Sequence, residues 1–126
     1  MNLILSPNEL QLHFDKASLV QACADQIAKD FDMFGVCIHF SGNTEGAYLE
    51  LHSQLVAQID VLLRESSSKL IAVLYRIDIS DEELKMGEKM LPNYNAVEAM
   101  AHTIIVRELK KVISRNSFNQ DENEKI

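Results

Sequence analysis

The stretch Lys69-Leu-Ile-Ala-Val-Leu-Tyr-Arg-Ile-Asp78 decides the fold class of this 126-residue chain. Residues 70–75 are apolar without interruption, which fits either a helix buried on every side or a strand in the middle of a sheet. Because a central strand needs partner strands and other candidates are scarce, we predict a helix over 69–78. The alternative is an α+β fold with short strands near 36–40 and 70–78.

Three longer stretches around this segment have the periodicity of amphipathic helices. They cover residues 15–34, 45–65 and 96–115, and Gly35 follows the first of them where a C-cap glycine is expected. The apolar run 36–40 is predicted to be a connector between the first two helices.

Polar residues that cap helices mark further helix starts. Ser80-Asp81-Glu82-Glu83 is a capping box between Ile79 and Leu84, and it predicts a helix up to about Met90. Ser6-Pro7-Asn8-Glu9 is a similar signature near the beginning of the chain. One of Ser66, Ser67 and Ser68 is expected to cap the 69–78 helix, and Asn93 or Asn95 the last helix.

These patterns predict one compact all-α domain of five or six helices over residues 1–115. Helices 69–78 and 96–115 are expected to be central and buried, with helix 45–65 covering them. Residues 116–126 are polar and lack periodicity, so we predict a disordered tail.

Composition limits the classes of function. The net charge of −7 argues against a nucleic-acid-binding protein, which usually needs a clustered basic surface. The densest basic cluster is predicted to be a solvated face of the last helix, with a phosphate site as the alternative. That cluster consists of Arg107, Lys110, Lys111 and Arg115.

The sequence also bears on the location of the protein in the cell. No apolar run reaches the length of about 18 residues that a membrane span needs. The first residues lack the features of a signal peptide. Cys23 and Cys37 are too few for a disulfide framework and are expected to act as small hydrophobes. We therefore expect a cytoplasmic protein.

Two polar residues fall inside apolar helical stripes. Glu108 lies between Ile104 and Val112, and we expect Arg76 to be its partner in a structural ion pair. The alternatives are a carboxylate with a shifted pKa in a pocket, or exposure at the edge of the stripe or at an oligomer interface. His52 also faces the core side of its helix, where a hydrogen bond inside the fold is expected rather than ligand binding.

No recognised catalytic motif accompanies these residues. There is no nucleophile elbow, no phosphate-binding loop and no histidine or carboxylate pair spaced for a helical metal site. We therefore expect no metal and no cofactor. Met86 and Met90 form a soft apolar patch on an acidic helix; core packing is the simpler interpretation, and a partner or dimer surface is the alternative if they are exposed.

The segment Lys69-Leu-Ile-Ala-Val-Leu-Tyr-Arg-Ile-Asp-Ile-Ser80, with Ile105-Val-Arg-Glu-Leu-Lys-Lys-Val112 later in the chain, resembles a group of small uncharacterised all-helical bacterial proteins. The resemblance covers the second half of the chain. It implies two buried central helices and brings with it no assigned activity and no functional residues.

Three functions follow as hypotheses. We expect a non-catalytic protein-interaction protein, either a homo-oligomer or an adaptor of the bacterial cytoplasm. The first alternative is a small enzyme or ligand binder that uses Glu108, Arg76 and His52. The second is an acidic inhibitor or immunity-type partner of a basic protein.

Overall fold

A computed structural model describes residues 6–7 and 17–124, with side chains up to residue 115. Within those ranges the chain forms five α-helices and no strand, which confirms the all-α prediction. The helices are α1 (Ala17–Asp32), α2 (Ala47–Glu65), α3 (Ser67–Ile77), α4 (Asp81–Met90) and α5 (Ala96–Glu124). Apart from Ser6 and Pro7, the capping signature predicted near the beginning of the chain lies outside the described residues.

The centre of the fold is α5, against which α1, α2 and α4 pack. Every residue from Ala101 to Val106 is buried, as are Glu108 and Leu109, so this helix is enclosed around most of its circumference. All five helices contribute side chains to one hydrophobic core. The prediction of α5 as a buried central helix is therefore confirmed.

Helix α3 is helical as predicted but is not a second central helix. It buries Leu70, Val73, Leu74 and Ile77 on one side. On the other side Ile71 is 67% exposed and Tyr75 is 86% exposed. The expectation of burial on every side is wrong because α3 lies at the edge of the bundle, where its neighbours cover one face alone.

The N-terminal caps follow the sequence closely. Ser66 Oγ accepts a hydrogen bond from Lys69 N at 3.3 Å, and Ser80 Oγ accepts one from Glu83 N at 3.2 Å. At the start of α5, Asn95 Oδ1 accepts from Glu98 N while Glu98 Oε1 accepts from Asn95 N, at 2.8 and 2.9 Å. Each bond satisfies a backbone N–H that the first turn of a helix leaves without an intrahelical partner.

Two helices end on a residue in the left-handed region. Gly35 (φ 74°) ends α1 as predicted: Val36 N–H donates to Phe31 O at 3.1 Å, and Gly35 N–H donates to Asp32 O at 3.0 Å. Asp78 (φ 68°) closes α3 in the same way. A non-glycine residue is uncommon in this conformation.

The connector over 36–40 contains no strand, as predicted. A side chain satisfies its backbone instead: Gln54 of α2 accepts from His39 N at 2.8 Å and donates to His39 O. Val36 and Ile38 are buried, whereas Cys37 between them is exposed. The expectation that Cys37 is a core hydrophobe is wrong, because an extended chain turns successive side chains to opposite sides.

Helix α4 lies close to α5 at Gly87. A methyl group at this position would lie 2.5 Å from Thr103 Oγ1, so a larger residue requires the Thr103 side chain or the helix backbone to move. Helix α5 itself extends past Arg115 to Glu124, and the disordered tail over 116–126 stays a prediction. Each residue added to an existing helix gains a backbone hydrogen bond without a new nucleation step.

Candidate functional site

The inward-facing polar residues form two separate clusters on the buried face of α5. His52 is 7% exposed and Glu108 is 0% exposed, so both side chains point into the fold. His52 meets the first part of α5 near Glu98 and His102, whereas Glu108 lies six residues, or about 9 Å, further along the helix. The structure therefore does not bring Glu108, Arg76 and His52 together in one site.

The first cluster is a pair of buried carboxyl groups, Asp30 of α1 and Glu108 of α5. Asp30 is 2% exposed. Its Oδ1 atom accepts from Arg76 Nε at 3.0 Å and from Gln26 Nε2 at 3.1 Å. The predicted ion pair between Arg76 and Glu108 is wrong: Arg76 pairs with Asp30, and the cation beside Glu108 is Lys111, at 3.4 Å from Nζ to Oε1.

The two carboxyl groups titrate in opposite directions. Burial raises the pKa of Glu108, and the adjacent Asp30 raises it further, to about 8, against the opposing effect of Lys111. Burial also opposes ionisation of Asp30, but hydrogen bonds from Glu108 and Gln26 and the charges of Lys111 and Arg76 outweigh it and lower the pKa of Asp30. At neutral pH Asp30 is therefore ionised and Glu108 is protonated.

A proton on Glu108 also explains oxygens that otherwise lack a donor. Asp30 Oδ2 and both carboxyl oxygens of Glu108 are buried and accept no hydrogen bond from an N–H or hydroxyl group of the described residues. When Glu108 is protonated it can donate to Asp30, which places one proton between the two carboxyl groups. Carboxyl pairs of this kind arise because two adjacent buried carboxylates cannot both be charged.

Cys23 lies beside this pair but does not supply a reactive thiol. Its side chain is buried, and Sγ lies 3.9 Å from the backbone oxygen of Ile105. Burial, with a smaller effect from Glu108, raises the pKa of the Cys23 thiol far above its usual range. Because the thiolate is the nucleophile, this cysteine is a packing residue, as predicted.

The second cluster consists of aromatic rings and histidines between α2 and α5. The His52 ring stacks against Tyr48 on one side and Tyr94 on the other, with ring centroids 5.2 and 5.0 Å apart. Tyr48 Oη lies 2.9 Å from Tyr94 Oη and 2.8 Å from His102 Nδ1. The cluster is thus joined by both stacking and hydrogen bonds.

Hydrogen bonding fixes the state of several groups in this aromatic–histidine cluster. His52 Nε2 lies 2.9 Å from the backbone oxygen of Glu98. Because a carbonyl oxygen only accepts, Nε2 carries the proton and donates it. Burial and the bond to Tyr94 raise the pKa of Tyr48, so its hydroxyl stays neutral. The expected hydrogen bond of His52 inside the fold is present.

Sequence reasoning found one member of each cluster and missed the others. Asp30 follows Cys23 by seven residues and Ile27 by three, so it lies on the same helical face, and this spacing was available as a signal. Tyr94 lies in the loop before α5, where no periodicity places it. His102 falls within the apolar stripe of α5 and is fully buried.

The methionine patch is exposed. Met86 is 50% and Met90 is 59% exposed on α4. Met86 also lines a cavity between α4 and α5 together with Thr103 and Val106, and Met90 lines another with Pro7 and Tyr94. Core packing of these two residues is therefore excluded, and their role as a partner surface stays a prediction.

The described residues also limit other classes of site. Among them there is no group of three or more His, Cys, Asp or Glu side chains that could hold a metal ion. None of the described helices is both long enough and apolar enough to cross a membrane.

Comparison of the chain with protein-family models, with curated proteins and with solved structures found no match.

Proposed function

We propose that this chain is a non-catalytic protein-interaction protein that acts as a homodimer. The observation that supports this proposal is the exposure of four large apolar side chains on the adjacent helices α2 and α3. Leu49 is 70%, Leu63 48%, Ile71 67% and Tyr75 86% exposed, and we call this set the outer apolar face.

Covering the outer apolar face would be favourable. Burial of a large apolar side chain stabilises by about 1.5–3 kcal/mol when it is complete. Single exposed apolar residues are ordinary on protein surfaces, but several on two adjacent helices are typical of interaction sites. Four such side chains on each protomer are enough to contribute most of the free energy of a weak dimer.

The spacing of apolar residues on α2 favours a second copy of the chain as the partner. Leu49 and Leu63 each lie seven residues from Val56, which is half-buried and packs on the core. Seven residues are two helical turns, so the three side chains follow one stripe. If two α2 helices cross antiparallel at Val56, Leu49 of one protomer lies opposite Leu63 of its partner. Such an arrangement is self-complementary, as a two-fold interface requires.

The inward-facing residues give less support to the enzyme hypothesis. Glu108, Arg76 and His52 lie in two clusters rather than one. His52 is enclosed between two tyrosine rings, and Arg76 is engaged with Asp30. These contacts are typical of residues that hold helices together.

The hypothesis of an acidic inhibitor needs one contiguous acidic face. Exposed carboxylates occur on α1, α2 and α4, at Asp25, Asp60, Glu65 and Asp81 among others, and basic residues lie between them. This distribution gives the hypothesis no specific support.

The experiment is to measure the mass of the protein in solution by light scattering and sedimentation from about 1 to about 100 µM. We expect a species of twice the 14.3 kDa of one chain at the upper end of this range. The double variant Leu49→Glu with Ile71→Glu should be monomeric throughout, because its charges would be buried at the interface.

The matched control is Met86→Glu with Met90→Glu, which adds the same charges to the other exposed apolar surface. This control should dimerise like the unchanged protein. A monomer at every concentration would overturn the proposal. So would a dimer that the methionine variant abolishes and the Leu49/Ile71 variant leaves intact, since the interface would then lie on α4.

A further inference from the structure

One groove on the surface of this acidic protein is lined by cations. It lies between α1 and the middle of α5, has a volume of about 340 Å³, and contains no carboxylate in its lining. Its six lining residues are Gln26, Arg107, Lys110, Lys111, Ser114 and Arg115. We call it the basic groove.

The helix forces these cations together. Arg107, Lys111 and Arg115 follow one another at four-residue intervals, so their side chains lie above one another on one helical face. Like charges at this spacing destabilise a helix unless a counter-charge is present. The chain as a whole carries a net charge of −7, so the concentration of positive charge at one place is not a consequence of composition.

Carboxylates of the described residues neutralise only part of the positive charge of the basic groove. Arg107 pairs with the exposed Asp78 at 3.0 Å, whereas Lys111 lies 3.4 Å from Glu108, which carries no charge while it is protonated. Lys110 and Arg115 form no ion pair with any residue that the structure describes. Arg107 Nε is buried and has no hydrogen-bond acceptor there. The basic groove therefore holds more positive charge than the carboxylates of the described residues neutralise.

We propose that the basic groove binds the phosphate group of a small phosphorylated molecule, and that Lys111 couples its occupancy to the proton shared by Asp30 and Glu108. Arginine donates to phosphate oxygens in a fork geometry and lysine contributes a compact charge, so this set matches a tetrahedral dianion. A polyanion such as nucleic acid would instead be repelled by the acidic remainder of the surface. The proposal does not depend on the proposed homodimer.

The coupling follows from the position of Lys111, which lines the basic groove and also contacts Glu108. The other groups that face the carboxyl pair are Arg76 and Gln26, both bonded to Asp30, and the Cys23 thiol. While Glu108 is protonated, the ammonium group of Lys111 is available to an anion. Once Glu108 ionises, its charge holds Lys111 and repels the anion. Because the pKa of Glu108 is about 8, affinity should fall as the pH rises through that value.

The test uses isothermal titration of the full chain with inorganic phosphate and with sulfate. Sulfate keeps its charge of −2 across neutral and alkaline pH, so any dependence of its affinity on pH comes from the protein. We expect a Kd of about 1 mM or below for both anions at pH 7 and physiological salt. Sulfate bound beside Lys111 should raise the pKa of Glu108 by at most about one unit. The affinity for sulfate should therefore fall by up to about tenfold between pH 7 and pH 9.

Two double variants distinguish anion binding in the basic groove from an effect of the net charge of the protein. Lys110→Ala with Arg115→Ala should weaken binding by about tenfold or more. The matched control, Lys69→Ala with Lys85→Ala, also removes two positive charges, but from exposed positions on α3 and α4, and should bind like the unchanged protein. A third variant, Glu108→Gln, keeps the side chain neutral and should bind sulfate equally at pH 7 and pH 9.

Each other outcome overturns a defined part of the proposal. No binding of either anion up to about 10 mM would show that the cluster is a solvated helix face. Equal weakening in the two alanine double variants would show that only net charge matters. A pH dependence of sulfate binding that persists in Glu108→Gln would remove the coupling through Lys111. Circular dichroism of each variant at both pH values establishes that the fold is intact.

Discussion

The two polar clusters on α5 lie on one buried helical face but differ in how their polar groups are satisfied. Around His102 the hydroxyl of Tyr48 is neutral and bonds to Tyr94 and His102, while His52 bonds to the backbone oxygen of Glu98. Around Glu108 the groups are ionisable, and three buried oxygens accept no hydrogen bond from an N–H or hydroxyl group of the described residues. One proton between the two carboxyl groups joins two of these oxygens. A buried hydrogen-bonded network holds helices in place, whereas a buried acid pair makes stability and charge depend on pH.

The helices that pack against α5 explain why the two clusters differ. The first part of α5 faces α2, which supplies aromatic rings at Tyr48 and His52. The second part faces α1, which supplies Asp30, and the cations that contact the two carboxyl groups are Arg76 and Lys111 at the edge of the cluster. Both cations are about one-third exposed, so they stabilise charge on Asp30 without neutralising a second carboxylate in the interior.

The largest loss of stability is expected for Asp30→Ala. The substitution leaves Arg76 without its partner and removes the acceptor for the Glu108 proton, and we expect a loss of about 3 kcal/mol in the free energy of unfolding. Asp25→Ala, at an exposed position of the same helix, should change it by less than about 0.5 kcal/mol. Urea denaturation at pH 7 measures both, and equal small effects would show that the acid pair contributes nothing to stability.

The next effect is a dependence of stability on pH. The pKa of Glu108 is about 8 in the folded protein and near its ordinary value of about 4.3 in the unfolded chain, so the folded state holds a proton that the unfolded state has released. The free energy of unfolding should therefore fall between pH 5 and pH 8, by at most about 1.4 kcal/mol per pH unit. Asp30, with its lowered pKa, is ionised in both states in this window.

The variant Glu108→Gln isolates this dependence. Its free energy of unfolding should not show the decrease, so the difference between it and the unchanged protein should grow as the pH rises. Glu88→Gln, which alters an exposed carboxylate of α4, should leave the dependence intact. Parallel curves for the protein and Glu108→Gln from pH 5 to pH 8 would contradict this prediction.

A smaller loss of stability is expected when the aromatic–histidine cluster is altered. Tyr48→Phe removes the hydroxyl that joins Tyr94 to His102 while the stacked rings remain. We expect a loss of about 1–2 kcal/mol, since two bonds of a partly buried hydroxyl are lost. Tyr75→Phe on the exposed side of α3 is the control and should have no measurable effect. A loss of stability in Tyr75→Phe equal to that in Tyr48→Phe would contradict the assignment of a structural role to this cluster.

The sequence was sufficient for the secondary structure but not for the partners of the buried polar groups. Capping residues such as Ser66, Ser80 and Asn95 act on their own helix, so local spacing predicts them. The apolar stripes of α2 and α5 likewise predict that the side chains of His52 and Glu108 point into the interior of the fold. Which residue faces Glu108 depends on how α1, α3 and α5 are packed, and the spacing of residues along one helix contains no information about that packing. The sequence therefore offers Arg76 as a cation for Glu108, whereas the fold pairs Arg76 with Asp30.

The exposure of α3 could not be predicted for a related physical reason. A helix that is apolar on every side looks the same in sequence whether its second face is covered by the rest of the chain or left open. Ile71 and Tyr75 are the residues that the fold leaves open.

The central claim is that Glu108 and Asp30 share a proton in the folded protein. The most direct test is a titration of the side-chain carboxyl carbons by ¹³C NMR, with Glu108→Gln used to assign the Glu108 resonance. A midpoint for Glu108 near 8, with Asp30 titrating below its ordinary range, is the predicted result. A Glu108 resonance that titrates near the ordinary value of about 4.3 would contradict the account, since both carboxyl groups would then be charged at neutral pH.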